Sequence, residues 1–153
     1  MLRLIDIPWW YFIIATAIGI VVGLWKKPSL GILAGYTFLL LVETVIIRIP
    51  FAGQHFEPEF FWSWKAWKDQ KKQILVNVIM FIPVGLIGDH LWKGKGIWIA
   101  TGVSVLIEVL QLVTARGLFE FDDVIHNMLG AAIGIGIIIT LQVVKKKIEG
   151  VLE

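Results

Sequence analysis

The chain has 153 residues, 58% of them hydrophobic and 17% charged, with a formal net charge of +2. That charge is too small, and no basic tract is long enough, for a nucleic-acid surface. Cysteine is absent, which excludes disulfides, thiol catalysis and thiolate zinc sites.

The apolar residues fall in long blocks. Roughly 20 apolar residues in a helix cross a bilayer core of about 30 Å. Five blocks predict spans over residues 9–25, 30–47, 74–92, 97–113 and 124–144. The first lacks a lysine-rich start and an Ala-x-Ala site, so it reads as a membrane helix rather than a signal segment. Trp9 and Trp10 open it and Trp25 closes it. Trp92 and Trp98 flank the turn between the third and fourth blocks, and no tryptophan sits in the middle of a block. Such a belt keeps indole rings in the hydrocarbon edge and their N–H groups in water.

The one long connection precedes the third span. It carries Pro50, Gly53 and then Glu57-Pro58-Glu59, a helix-start pattern. Phe60, Phe61, Trp64 and Trp67 fall on one helical arc, opposite Lys65, Asp69, Lys72 and Gln73. This predicts a helix lying in the membrane interface. A disordered loop is the alternative, and the aromatic density argues against it. The expected fold is therefore an all-α, multi-pass membrane helix bundle in one domain over residues 1–153. It has about five transmembrane helices and one interfacial helix.

Orientation follows from the bases. Lys26, Lys27, Lys93, Lys95 and Lys145 to Lys147 share one side in compact basic turns. Arg3, Arg48, Lys65, Lys68, Lys71, Lys72 and Arg116 share the other, interspersed with acids from Asp6 to Asp123. The positive-inside rule then puts the lysine turns and C-terminus in the cytoplasm and the N-terminus outside.

Ionisable groups inside spans mark functional sites by default. Glu43 and Arg48 lie near the end of the second span, and Asn77 near the start of the third. Glu108 and Gln111 close the fourth, and Asp122, Asp123, His126 and Asn127 open the fifth. In an up-down chain the end of one span and the start of the next share a membrane side. All these residues are therefore expected on one side, whichever way the protein is inserted. Thr101, Ser104, Glu108 and Gln111 recur at three or four residues and form one stripe. Asp123 and Asn127 continue into Gly130 and Gly134, which let another helix approach. Alternatives stay open: a helix cap for Asp122 or Asp123, an ion pair with Arg48 for Glu43, and a packing role for His126. A carboxyl as deep as Glu108 must be paired, protonated or facing water. No nucleophile elbow, phosphate loop or His-Glu-x-x-His helix is present.

The run Asn77-Val78-Ile79-Met80-Phe81-Ile82-Pro83-Val84-Gly85 resembles the signature of the VanZ-like family, an Asn followed by apolar residues and Phe-x-Pro-x-Gly. The family's Glu-x-x-Gln helix is matched by Glu108 to Gln111. Its Arg-Gly loop and Asp-Asp-x-x-x-Asn-x-x-Gly helix start are matched by Arg116-Gly117 and by Asp122 to Gly130. The resemblance covers residues 48–138 and assigns no role to His126. It implies a multi-pass bacterial cell-membrane protein, in a family named for a member tied to low-level teicoplanin resistance.

The function expected is a polar pocket at the outer leaflet that handles a cell-envelope ligand, lipid-linked or related to glycopeptides and lipopeptides. Glu108 would be its central acid. Asp122 and Asp123 would serve in catalysis or hold the ligand or a divalent cation, with no other cofactor. Asn77, Gln111, His126 and Asn127 would orient the ligand, and Arg48 would meet an anionic head group. Membrane lipids are the expected partners. A lipid-modifying enzyme using paired carboxylates, or a structural membrane protein without a ligand, are the rival classes.

Overall fold

The computed structural model describes residues 7–152, with side chains to residue 150. Arg3 and Asp6, which entered the orientation count, lie outside the described residues. Helix α1 spans Trp9–Trp25 and α2 spans Pro28–Leu41, continued by a π-helical turn over Val42–Ile46. A short strand β1 (Phe56–Glu57) and the single turn α3 (Trp62–Lys65) follow. Then come α4 (Trp67–Leu91), α5 (Gly96–Thr114), strand β2 (Phe119–Glu120) and α6 (Phe121–Leu152).

Among the described residues, four helices are long and apolar enough to cross a membrane: Pro28–Ile46, Trp67–Leu91, Gly96–Thr114 and Phe121–Gly150. The shorter apolar helix α1, with 17 residues, is about 25 Å long at 1.5 Å per residue. The protein is thus an all-α membrane bundle.

Helix α6 packs along α4 backbone to backbone. A Cβ on Gly130 would collide with the Val78 carbonyl, and one on Gly134 with that of Ile82. Glycine at this spacing lets membrane helices close up where the hydrophobic effect gives no drive to associate. Helices α1 and α2 form a second such pair, with Gly31 against Gly19 and Gly23. The tight turn between α4 and α5 is held by the buried carboxylate of Asp89, which accepts the N–H groups of Gly94 (2.9 Å) and Gly96 (3.4 Å). Pro83 lies inside α4 and removes one helix N–H, leaving the Ile79 carbonyl without its usual donor. One residue on, the Met80 carbonyl accepts the Tyr36 hydroxyl at 2.8 Å and ties α4 to α2.

The connection before α4 departs from the expected interfacial helix. Glu57 belongs to β1, which pairs in parallel with β2 in the register Phe56↔Phe119 and Glu57↔Glu120. Helix formation waits until Trp62 because Phe61 adopts a left-handed conformation, φ 61°. The chain breaks again at Ala66, and residues from Trp67 onward join the third span directly. Hydropathy alone ended the spans at the lysines. The backbone hydrogen bonds of α4 and α6 continue past that limit, as helices do outside hydrocarbon.

Candidate functional site

The site end of the bundle gathers the C-terminal ends of α2 and α5 and the N-terminal parts of α4 and α6. Its centre is a cavity of about 20 Å³ lined by Thr44, Arg48, Asn77, Glu108, Gln111, Asp123 and Asn127, closed by Met80, Phe81 and Ile107. That volume holds about one water molecule. Six of the eight residues singled out from the sequence line it.

Helix periodicity explains the α5 contribution. Ser104, Glu108 and Gln111 are all buried, with Glu108 only 1% exposed. Thr101 sits at the edge of the same stripe and gives its hydroxyl to the Ile97 carbonyl. Glu108 Oε2 accepts the Glu120 N–H at 3.0 Å, so the strand turn before α6 is pinned to the acid. Gln111 Nε2 donates to the Thr44 carbonyl at 3.0 Å. Arg116 donates to the Ile46 carbonyl at 2.7 Å. These two side chains satisfy carbonyls in the last turn of the α2–π helix, which have no donor within their own helix.

From α6, Asn127 Nδ2 donates to Ser104 Oγ at 2.8 Å, while its buried Oδ1 has no donor among the described residues. Asp123 faces the cavity and lies 3.3 Å from Gln73 Nε2 of α4. The guanidinium-bearing Arg48 is exposed and stands at the cavity margin. The centre is therefore rich in hydrogen-bond acceptors, with the exposed Arg48 at its edge.

Asp122 and His126 fall outside this cavity. Asp122 is fully buried, and its carboxylate is held by the segment before α4. Oδ1 accepts the Phe61 N–H at 2.6 Å, and Oδ2 accepts the Ser63 N–H at 3.0 Å and the Ser63 hydroxyl at 2.6 Å. Three of its roughly four lone-pair sites are thus taken up, and the carboxylate caps α3 from a distance. His126 is fully buried beside Trp64, ring centroids 5.8 Å apart, with Nδ1 3.8 Å from Asp123 Oδ1. Neither ring nitrogen has a hydrogen-bond partner among the described residues. Among the described residues, no three His, Asp or Glu side chains come together as a candidate metal-ion group.

Glu120 is the residue that the sequence reading passed over. A loop acid reads as solvated, yet Glu120 is 5% exposed and accepts the Trp62 indole N–H at 3.2 Å. Burial pushes its carboxyl up to about 8, and the charges of Asp123, Asp122 and Glu57 act in the same direction against the Trp62 hydrogen bond. The apolar neighbours Leu118, Phe119 and Phe121 were the signal available in the sequence.

Fold and site together define a multi-pass helical membrane protein with a buried polar cluster at one end of its bundle. The VanZ/LLP1 family model matches residues 10–142, well beyond the segment that carries the motifs. The chain belongs to the VanZ/LLP1 family. No curated protein and no solved structure matches it.

Proposed function

We propose that this cluster receives the head group of a lipid-linked cell-envelope ligand at the outer leaflet of a bacterial cell membrane, and through it influences glycopeptide susceptibility. The observation that carries the reading is the convergence of Arg48, Asn77, Glu108, Gln111, Asp123 and Asn127 on one small cavity at a bundle end. Structural polar residues in a membrane bundle bond to one another across helices. Here an exposed guanidinium and an unsatisfied Asn127 oxygen remain available beside two acids.

A matching head group carries an anionic oxygen for Arg48 and hydroxyl or amide donors for the acids and Asn127. With room for one water only, the cavity admits a single functional group, and the rest of the head stays at the mouth. The same dimensions favour one second reading. A lone water between Glu108 and Asp123 would be placed for hydrolysis of a lipid substrate.

The test is a titration of the purified protein in detergent with phosphatidylglycerol, followed by native mass spectrometry. Arg48→Ala should weaken retention about tenfold, the loss of one charge-assisted hydrogen bond, and Glu108→Gln should weaken it as well. Their unfolding midpoints should stay close to wild type. Unchanged retention would remove the binding reading, and lowered midpoints with unchanged retention would favour a structural role. A lipid changed in mass by wild type but not by Glu108→Gln would select catalysis. Cells carrying Glu108→Gln should match the teicoplanin susceptibility of cells lacking the protein.

A further inference from the structure

A second cavity of about 290 Å³ lies between α1, α2 and α4, lined by Phe12, Tyr36, Leu39, Ile79, Met80 and Glu43. It borders the polar cavity. Met80 lines both, and the consecutive residues Glu43 and Thr44 line one each. The Met80 side chain therefore stands between an apolar recess and the polar end. Methionine has three rotatable bonds and repacks readily, so this partition is the most adaptable element between the two spaces.

We infer that the apolar recess is the acyl-chain subsite for the ligand whose head group meets Arg48, with Met80 as the partition between chain and head. The inference rests on the head-group reading above and adds where the hydrophobic part lies. Its occupant is one acyl chain of an anionic lipid. The recess is apolar along Phe12, Leu39 and Ile79, and it shares Met80 with the cavity that the exposed Arg48 lines. Of its two polar side chains, the Tyr36 hydroxyl is held by the Met80 carbonyl, and Glu43 lies beside Thr44 of the polar cavity. Head and chain are thus held on opposite faces of Met80, and a lipid seated this way has its polar linkage next to Glu108 and Asp123.

The experiment uses the whole protein in nanodiscs of phosphatidylglycerol and phosphatidylcholine, with a trace of phosphatidylglycerol carrying a diazirine at its chain end. After irradiation, adducts are mapped by peptide mass spectrometry. Those on the Ile79–Met80 segment should exceed, by several-fold, those on Ile139 and Leu141, which are lipid-exposed positions of α6 outside the recess. Unlabelled phosphatidylglycerol should suppress the first set and leave the second. Arg48→Ala should lower the recess adducts about tenfold. Ile79→Trp should do the same, since filling the recess leaves roughly two methylenes of the chain unburied. If Ile79→Trp does not fold, competition by unlabelled lipid on wild type decides the matter alone.

Equal labelling at both places overturns the inference while leaving the Arg48 titration, and with it the head-group reading, untouched. Recess adducts that are strong but indifferent to Arg48→Ala overturn it too, because the recess would then be a separate lipid site.

Discussion

Asp122→Asn separates a scaffold residue from a ligand-binding one. In the wild type the carboxylate accepts three hydrogen bonds: one on Oδ1 from the Phe61 N–H, two on Oδ2 from Ser63. An asparagine keeps one oxygen. Its best orientation serves Ser63 and turns its NH2 toward the Phe61 N–H, donor against donor. One charge-assisted bond is lost and one half-buried N–H is left unpaired, a cost of about 1–3 kcal/mol. Phe61 is also released from its left-handed conformation, so the aromatic turn before α4 should loosen. Ser63→Ala removes only the hydroxyl bond and should cost about 1–2 kcal/mol. The two substitutions should be non-additive, because they act on the same carboxylate. Intrinsic tryptophan fluorescence during thermal unfolding in detergent reads all three variants. A wild-type midpoint for Asp122→Asn, combined with loss of phosphatidylglycerol retention, would refute the reasoning and return Asp122 to the site.

Glu120 gives a pH dependence. Its folded carboxyl titrates near 8 and an unfolded one near 4.5. Below about 4.5 both states are protonated and its contribution is fully present. As pH rises toward 8 the unfolded state ionises first, so that contribution is progressively lost. The unfolding midpoint should fall by several degrees over this window, and Glu120→Gln should flatten the fall; an identical slope in the variant would count against a buried neutral acid. At the α4–α6 crossing, Gly130→Ala should cost about 1–3 kcal/mol because the new methyl meets the Val78 carbonyl. Gly136→Ala, which meets nothing within 4 Å, is the control. Equal midpoints for the two would contradict the close crossing.

Much of the fold was legible because bilayer chemistry makes it so. Apolar block length located the helices, and Trp9, Trp25 and Trp92 marked ends of α1 and α4. The alternation of an up-down chain brought Glu108, Asp123 and Asn127 to one end without any knowledge of their contacts. Helical periodicity identified the buried stripe of Ser104, Glu108 and Gln111. What escaped depended on partners far apart in sequence. The Asp122 carboxylate looks like a cap for its own helix, yet it caps a turn about 60 residues earlier. The strands Phe56–Glu57 and Phe119–Glu120 are too short to show an alternating pattern. Glu120 is buried only because that pairing draws it under Trp62. The π turn at Val42–Ile46 has no sequence signature, since the groups that stabilise it, Gln111 and Arg116, come from α5 and its exit loop. His126, aligned at i+4 from Asp122, faces Trp64 rather than the cavity for the same long-range reason.

The shared cavity requires that the loops before α4 and before α6 lie on one membrane side. The chain has no native cysteine, so single cysteines can report it directly. Cysteines placed at Gln54 and Leu118, in the loops around the site, and at Lys27 and Lys93, in the opposite turns, are labelled in intact cells with a membrane-impermeant maleimide. Gln54 and Leu118 should react together from one side, and Lys27 and Lys93 together only from the other. Labelling of Gln54 and Leu118 from opposite sides would contradict the shared site.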